Sequence, residues 1–389
     1  MISFSKWTDV ALIAFFVTAI SLPTLDTLAG LDPVDAPYDN RPSAPAPQLY
    51  GGLGLVREFP AEFEAYFKDG FGFRNSLIKG HCLAKYHLLH ESGADRVLLG
   101  KDGWLFFTGN KAVECYRGLD PFTERELEAW RLLLEGRRDA LAERGIRYLF
   151  LLVPNKHTVY PEHLPDRLNV VSETSRLDQL TDHLRAHSDV DFIDLRDVLI
   201  QSKRRGQMYD RTGTHWTAQG RFFAYGVISE LVAQWLPEIT PLVPSEFRSR
   251  EVEVPGLELA QMLGLQEELR EVVLRVVPRT ASANRDPAVA EDLRSSMGIH
   301  RSRKLQVYVG EDASLPRLML VGDSFGNSLI KMLAEDYSRS VYIRDQFDLE
   351  LIDREEPDVV INQVAERFLM TKNPVKMGAN IDRGAGSKD

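Results

Sequence analysis

The chain is poor in cysteine and in basic charge, and each shortage excludes a class of protein. Two cysteines in 389 residues, without metal-type spacing, give no zinc signature, and we expect neither a metal nor another cofactor. The formal net charge of −10 leaves no basic footprint for nucleic acid. The same acidity disfavours electrostatic capture of an acidic polymer, although a net charge is an average that a local basic cleft can escape.

The two cysteines leave two structures open. If the chain is exported, a disulfide between Cys82 and Cys115 is chemically allowed. Two buried thiols are the alternative, and the sequence does not separate the two.

A long apolar run is also missing, because the mostly apolar segment at residues 10–22 is shorter than the ~17–25 residues of a spanning helix. Lys6 precedes it and acidic residues follow, which favours a cytoplasmic N-terminus. A signal-peptide core fits equally well, with a small-residue cleavage site at residues 27–29. A buried core helix fits least, because residues 32–47 are rich in Pro, Asp and Ala. We predict a signal anchor or signal peptide over residues 1–31 and a linker over residues 32–58.

Helical and strand patterns alternate from residue 123 onward. Thr123 and Glu126 form a capping box at the start of a helix, and residues 148–153 are a continuous apolar run, typical of a strand buried on both faces. Further helices are predicted over residues 175–186, 217–236 and 327–334, and further strands over 190–195, 318–321, 340–343 and 358–361. This alternation predicts a parallel sheet covered by helices on both faces, which is a three-layer α/β sandwich.

Two segments lie outside this alternation. The dipeptide Asp102-Gly103 is a turn signal between the apolar residues 97–99 and 104–107, and it predicts a β-hairpin. Residues 241–316 are more charged, with a helical pattern around residues 257–269. We interpret this second segment as an insertion that packs beside the sheet, in a position to cover a site there.

A serine lies between the strand predicted at 318–321 and the helix that follows it. Ser324 therefore sits at the carboxyl end of a strand, where open α/β sheets bind ligands. The helix N-terminus offers free N–H groups and a positive dipole end, which stabilise a developing oxyanion. By its motif alone, Ser324 fits the role of a nucleophile and that of an ordinary helix N-cap about equally.

A histidine opens another predicted helix, in the segment Gly213-Thr214-His215-Trp216-Thr217. Histidine is the natural general base for a serine hydroxyl. A single histidine is more often structural than catalytic. His215 is favoured by the candidate nucleophile elsewhere and by the adjoining tryptophan, which is able to shield a site from water.

Several segments resemble the AlgJ/AlgX family of alginate O-acetyltransferases. The resemblance extends in order over residues 59–369 and rests on residues 59–67, 71–75, 100–107, 153–156, 160–165, 214–217, 322–326, 357–361 and 366–367. It implies an SGNH-hydrolase-like fold in the periplasm and a Ser–His–Asp triad that moves acetyl groups onto polysaccharide hydroxyls. It also implies two kinds of partner, a polysaccharide acceptor and a membrane-bound acetyl donor of the MBOAT type.

The resemblance implies residue roles and contains one departure. Ser324 becomes the nucleophile and His215 the base, but the family aspartate two residues before the histidine is Gly213 here. We assign the orienting role to Asp210, on condition that its loop folds back. Candidates for oxyanion or substrate contacts are Asn155, Asn362 and Gly322.

The expected protein is thus a periplasmic O-acetyltransferase held to the inner membrane, with a catalytic domain over residues 59–375 and a flexible tail over 376–389. Two alternatives remain. An acetylesterase uses the same serine chemistry and differs only in admitting water. A polysaccharide-binding or scaffold protein with impaired catalysis follows if Gly213 abolishes the triad, since losing the aspartate costs another serine enzyme ~10⁴-fold in turnover.

Overall fold

The computed structural model describes residues 4–32, 44–47 and 52–378. The helices are α1 Phe4–Ala29, α2 Gly52–Asp69, α3 Arg74–Ala84, α4 Ala112–Tyr116, α5 Glu124–Ala142, α6 Lys156–Val159, α7 Arg176–His187, α8 Arg196–Ser202, α9 Ala218–Val232, α10 Glu258–Met262, α11 Pro287–Ser296, α12 Gly326–Leu333, α13 Leu349–Glu355 and α14 Pro374–Gly378. The strands are β1 Val97–Leu99, β2 Leu105–Phe107, β3 Arg147–Val153, β4 Phe192–Asp194, β5 Phe247–Val254, β6 Glu271–Pro278, β7 Ala283–Arg285, β8 Leu305–Gly310, β9 Arg317–Gly322, β10 Arg339–Arg344 and β11 Val359–Ala365.

A seven-stranded sheet organises the fold, in the order β4-β3-β11-β9-β10-β8-β7. The five strands from β4 to β10 are parallel, as the alternating pattern predicts. Strand β8 pairs antiparallel with β10, and β7 pairs antiparallel with β8. These two strands come from the segment predicted as an insertion, so part of that segment belongs to the central sheet.

Helices cover both faces of this sheet, which confirms the three-layer sandwich. Along β3, the side chains of Tyr148, Phe150 and Leu152 enter one hydrophobic cluster, and those of Leu149 and Leu151 enter the other. Helices α5, α7, α11 and α13 pack on the first face, and α8, α9 and α12 on the second. The five side chains just named are buried, and the burial of each contributes roughly 1.5–3 kcal/mol of transfer free energy to folding.

Local signals set the element boundaries. At the start of α5, the Glu126 N–H donates to Thr123 Oγ1 (3.3 Å), and the Thr123 N–H donates to the Glu126 carboxylate (2.9 Å). The predicted capping box is therefore confirmed; removing such a cap costs about 1 kcal/mol. The predicted hairpin is also confirmed, because β1 pairs antiparallel with β2. Asp102 and Gly103 take positive φ in its turn.

The rest of the predicted insertion forms a separate unit, here called the insertion hairpin (residues 247–278). Strands β5 and β6 pair antiparallel over eight residues each, outside the central sheet. Helix α10 lies between them in the chain. Its Leu259, together with Leu263 and Leu265, packs against Leu105 of β2 in a small third cluster. The insertion hairpin thus docks against the β1–β2 hairpin.

The N-terminal segment forms a longer helix than the apolar run predicts. Residues Trp7–Ala29 of α1 are long and apolar enough to cross a membrane, with a mean hydropathy of 1.8, and their side chains are almost all exposed. The predicted linker lies largely outside the described residues, and its last part, from residue 52, begins α2. The predicted tail also lies outside them, except for residues 376–378 of α14.

Both cysteines are buried thiols without a disulfide. Cys82 packs in the third cluster. The Cys115 thiol lies elsewhere and donates to the Glu366 carbonyl at 3.7 Å. Of the two alternatives left open by the sequence, the structure has the pair of buried thiols.

Candidate active site

The serine turn between β9 and α12 is held by buried polar contacts. The Gln363 side-chain oxygen accepts from the N–H groups of Asp323 (3.0 Å) and Gly326 (3.1 Å). The Asp323 carboxylate accepts from the N–H of Ala365 at 2.7 Å. A Cβ at Gly322 would lie 2.5 Å from the same Gln363 oxygen, so glycine lets the turn close on β11. Asp323 is therefore a structural residue beside the serine.

Ser324 and His215 meet although 109 positions separate them in the chain. The distance between Ser324 Oγ and His215 Nε2 is 2.8 Å. The other ring nitrogen, Nδ1, lies 2.7 Å from Oε1 of Glu258. The three side chains therefore form one hydrogen-bonded chain that ends at a serine hydroxyl, the arrangement that activates a nucleophile.

The charge state of Glu258 fixes the proton on the imidazole. Burial by itself raises the pKa of this carboxyl, but hydrogen bonds and charge from His215, with the Thr214 N–H, outweigh burial and lower the pKa to about 2. The Thr214 N–H donates to the same oxygen at 2.7 Å. Glu258 is therefore ionised and only accepts. His215 Nδ1 must then carry a proton, which leaves Nε2 free to accept from Ser324.

Asp210 does not hold the position that the sequence analysis assigned to it. Its N–H donates to the His215 carbonyl (3.0 Å), but the carboxylate at Nδ1 belongs to Glu258. Burial and the nearby charges of Glu271 and Glu258 raise the pKa of Asp210 to about 8. A carboxyl that is protonated at neutral pH is a poor partner for an imidazolium. This assignment is corrected in favour of Glu258.

The geometry of the site explains why position 213 is a glycine. A Cβ at this position would lie 3.1 Å from Glu258 Oε2 and 3.0 Å from the Asp210 Cβ. Any side chain there would press against the carboxylate that contacts His215. The glycine therefore leaves room for a carboxylate that arrives from the insertion hairpin.

Sequence reasoning missed Glu258 because nothing marks it among the acidic residues of a charged segment. It is the first residue of α10, a helix of five residues with no recognisable spacing to the histidine. The available signal was indirect. A glycine at the expected aspartate position indicates that the carboxylate must come from elsewhere, and the insertion was predicted to lie near the site.

The loop before His215 is held by a buried lysine. Lys156 Nζ donates to the carbonyls of Leu105 (2.6 Å), Asp210 (2.6 Å), Arg211 (2.8 Å) and Gly213 (3.0 Å). Burial lowers the pKa of Lys156 to about 7, and neighbouring carboxylates oppose that shift. The lysine thus ties the histidine loop to β2.

A buried glutamate holds the same loop from the hairpin side. The Glu271 carboxylate accepts from the N–H groups of Arg211 (2.9 Å) and Thr212 (3.1 Å), and from the Thr212 hydroxyl. Because Glu271 opens β6, the insertion hairpin both positions the histidine loop and supplies the carboxylate for its ring.

Among the candidate oxyanion groups, Asn155 lies on the side of the serine. It lines a small cavity with Thr214, the neighbour of His215, and with Arg367. Its Nδ2 and the Arg367 Nε are buried without a hydrogen-bond partner. The Arg367 guanidinium lies 5.3 Å from the Phe325 ring. Two buried donors without a hydrogen-bond partner therefore lie beside Thr214 and Phe325, the chain neighbours of His215 and Ser324.

The other two candidates are otherwise engaged. The Asn362 oxygen accepts from Arg137 (2.5 Å) and from the Tyr148 hydroxyl (3.1 Å). These partners lie on the face of the sheet opposite Phe325. The Gly322 carbonyl accepts from the Asp345 N–H, so this glycine shapes the turn. Within the described ranges, no group of three or more His, Cys, Asp or Glu side chains is arranged to hold a metal.

Comparison with known proteins agrees with the residue pattern. The family model of the SGNH hydrolase-like domain of acetyltransferase AlgX matches residues 97–344. The chain belongs to this family. The chain is 30% identical over 178 residues to a protein named probable alginate O-acetylase AlgJ from Pseudomonas aeruginosa, and 30% over 175 residues to its Pseudomonas syringae pv. tomato namesake. The alignments cover 46% and 45% of this chain but only 42% of each relative.

Solved structures with a similar fold are more distant in sequence. PatB1 of Bacillus cereus, solved with a sulfonyl adduct, superposes with a TM-score of 0.51 at 14% identity, over 72% of this chain and 98% of PatB1. A DHHW family protein from Eubacterium siraeum gives a TM-score of 0.50 at 14% identity, over 73% of this chain and 98% of its own. At these identities the likeness concerns the fold, and it agrees with the SGNH-like sandwich of this family member.

Proposed function

We propose that this protein is a periplasmic O-acetyltransferase that moves acetyl groups onto hydroxyls of an alginate-like exopolysaccharide through an acetyl-serine intermediate at Ser324. The observation that carries the proposal is the hydrogen-bonded chain Ser324–His215–Glu258. Family membership supports acetyl transfer as the reaction. The acceptor class follows the alginate named for the curated relatives.

In the first half-reaction, His215 Nε2 takes the proton of the Ser324 hydroxyl as Oγ attacks the acetyl carbonyl. The tetrahedral oxyanion is stabilised by the Ser324 backbone N–H and by Asn155 Nδ2, whose orphaned donor is otherwise costly to bury. His215 then returns the proton to the leaving oxygen of the donor. The products are acetyl-Ser324 and a deacetylated donor.

In the second half-reaction, a sugar hydroxyl gives its proton to His215 and attacks the acetyl-serine. Collapse of the second tetrahedral intermediate releases the acetylated sugar and restores the Ser324 hydroxyl. Glu258 acts through His215 in both halves, since it holds the Nδ1–H tautomer and stabilises the imidazolium that forms twice per cycle.

The two alternative functions now differ in support. The scaffold hypothesis was motivated by Gly213, and Glu258 supplies the carboxylate whose absence it assumed. An acetylesterase shares every step up to acetyl-Ser324 and differs only in using water as the acceptor. The distribution of product between acetate and acetylated sugar therefore separates the two enzymes.

Location and partners follow from the N-terminal segment and the family. Helix α1 supports an anchor in the inner membrane, with the catalytic domain, proposed as residues 59–375, in the periplasm. A membrane-bound acetyl-donor protein of the MBOAT type is the proposed source of acetyl groups. The polysaccharide is the second partner.

The test uses the purified full chain, a chromogenic acetyl ester and an oligouronate acceptor. Ser324→Ala and His215→Ala should each lower ester turnover by about 10³-fold or more, since nucleophile and base act as one unit. Ser249→Ala, at an exposed serine of the insertion hairpin, should leave turnover unchanged. With wild-type protein, mass spectrometry should find the acetyl group on the Ser324 peptide and then on the oligouronate. Undiminished turnover by Ser324→Ala would overturn the proposal.

A further inference from the structure

A row of aromatic side chains on α2 and just beyond it faces away from the catalytic fold. Phe59, Phe63, Phe67 and Phe71 follow at four-residue spacing, with successive ring centroids 5.8, 6.1 and 5.9 Å apart. The first two pairs of rings are stacked, and the last pair meets edge to face. Phe63 and Phe67 are 47% and 55% exposed. Tyr66 is 43% exposed beside them. A contiguous aromatic surface of this kind on a soluble domain marks an interaction surface.

The end of α1 is fastened to the turn that follows α2. The Asp26 carboxylate accepts from the Phe73 N–H at 2.7 Å, and the Thr27 hydroxyl donates to the Gly70 carbonyl at 3.3 Å. A Cβ at Gly72 would lie 2.0 Å from the Pro23 carbonyl, so the two segments touch through backbone. The last turns of α1 therefore lie beside the end of the aromatic row.

Helix geometry gives the level of that location relative to a bilayer. About 20 helical residues at ~1.5 Å each cross the ~30 Å hydrocarbon core. Counted from Trp7, the start of the candidate span, the crossing ends near Asp26. The contact between Asp26 and Phe73 therefore falls at the headgroup layer, and the aromatic row beside it falls at the same level. Aromatic side chains are enriched at that layer, where one part is apolar and the other wet.

We infer that the aromatic face of α2 lies in the outer interface of the lipid bilayer, so that an interfacial helix and the α1 anchor together hold the catalytic domain against the membrane. The inference rests on the anchor of the proposed function. It also explains an apolar groove of about 610 Å³ between α1 and the end of α2, since acyl chains fit such a groove. The groove is lined by Ile20 and Leu28 of α1 and by Phe67 and Phe71 of the aromatic row.

A second face of α2, roughly 100° around the helix from Phe63 and Phe67, suits water. Glu64 and Lys68 form an ion pair of 2.6 Å there, with side chains 64% and 69% exposed. The described side chains of this helix carry more acidic than basic charge. The penetration of α2 into the bilayer must therefore come from burial of its aromatic side chains, and anionic lipid should not strengthen it.

The experiment measures the depth of single nitroxide labels on α2 in the full-length chain, reconstituted in phosphatidylcholine vesicles. Labels go to Phe63→Cys or Phe67→Cys, with Glu64→Cys and Lys68→Cys as matched controls one residue away. The two buried native cysteines are replaced by alanine. Collisions with oxygen should exceed those with a polar nickel complex several-fold at 63 and 67, and the order should reverse at 64 and 68. Adding phosphatidylglycerol should change neither result.

Three outcomes would overturn the inference. These are equal access of the nickel complex to all four labels, spin–spin broadening that shows a second copy on this face, and protection that appears only in anionic vesicles. Ester turnover by the same labelled proteins in detergent is recorded separately. If ester turnover is intact but the labels at 63 and 67 are exposed to water, only the interfacial helix is contradicted. If the wild-type protein has no ester turnover, the proposed reaction is contradicted instead.

Discussion

The central sheet and the insertion hairpin contribute to one site by different means. The sheet is built from strands buried on both faces, and its β9 delivers Ser324 to a turn held by β11. The hairpin strands are mostly exposed or half-buried; Phe247 of β5 enters the main core cluster, and Leu259 of α10 enters the small third one. Yet the hairpin brings Glu258 to His215. The core thus sets the position of Ser324, the proposed nucleophile, while the carboxylate at His215, the proposed base, comes from a unit attached to that core.

Removing the charge of Glu258 is the strongest test of this division of roles. Glu258→Gln should lower kcat by about 10³-fold, because a neutral amide neither fixes the Nδ1–H tautomer nor stabilises the imidazolium. Glu267→Gln changes an exposed acid on the same hairpin and should leave kcat unchanged. Steady-state turnover of the acetyl ester measures both. Equal kcat values in the two variants would show that the insertion hairpin contributes no charge to the reaction.

The depressed pKa of Glu258 adds a pH dependence to the stability of the fold. Its folded value of about 2 lies below the ordinary 4.5, so its contribution is full above pH 4.5 and is lost as the pH falls toward 2. The stability lost in Glu258→Gln should therefore be larger at pH 7 than at pH 3. Thermal unfolding at the two pH values measures this difference, and an equal loss at both would contradict the ionised state of Glu258.

Moving the carboxylate back to the histidine loop sharpens the comparison. Gly213→Asp alone should lower kcat by about 10-fold or more, since its Cβ meets the Glu258 carboxylate and the new charge repels it. Glu258→Ala opens that space, so the double variant should exceed Glu258→Ala alone by about 10-fold. The family pattern in the sequence, with aspartate expected at this position, predicts instead that Gly213→Asp keeps or raises activity, provided that Gly213 does not have a positive φ. A double variant no better than Glu258→Ala would show that the two positions are not equivalent.

Replacing Lys156 tests whether the loop before His215 must be held by its contacts with this buried lysine. Lys156→Met leaves buried carbonyls without a donor, at about 1–3 kcal/mol each, and should lower kcat by about 10–100-fold with little change in KM. Leu134→Ala, in the hydrophobic core of α5 away from the site, should lose a similar ~2–5 kcal/mol of stability. It should keep its kcat. If both variants lose activity in proportion to stability, Lys156 has no positioning role.

Asp210 should give the smallest effect on turnover. Asp210→Asn should change kcat by less than about 3-fold, because its carboxyl does not contact His215 and already carries a proton at pH 7. Its folded pKa of about 8 exceeds the ordinary 3.8, so stability falls as the pH rises between these values. The variant removes that loss, and its gain in unfolding temperature should grow from pH 4 to pH 8. A gain that shrinks with pH would contradict the protonated state.

The parts of this structure that the sequence predicts are those with a strong local pattern. The apolar run of β3, the capping box at Thr123 and the serine after β9 each depend on neighbours within a few positions. Strands β7 and β8, at one end of the sheet, were predicted as part of the insertion, because they pair antiparallel and lie in a charged segment that departs from the alternation of parallel strands and helices. Glu258 depends on a contact across 43 positions, and no local signal encodes it.

The contacts of Gln363 and Ala365 with the serine turn have a consequence for the order in which the site forms during synthesis. These residues belong to β11, the last strand of the sheet to be synthesised, and they hold the N–H groups and the carboxylate around Ser324. A nascent chain stopped before β11 would contain serine, histidine and glutamate but lack the strand that shapes their turn. The serine turn should therefore reach its final shape only after β11 has joined the sheet, so that a site of the proposed kind would form late in the folding of this domain.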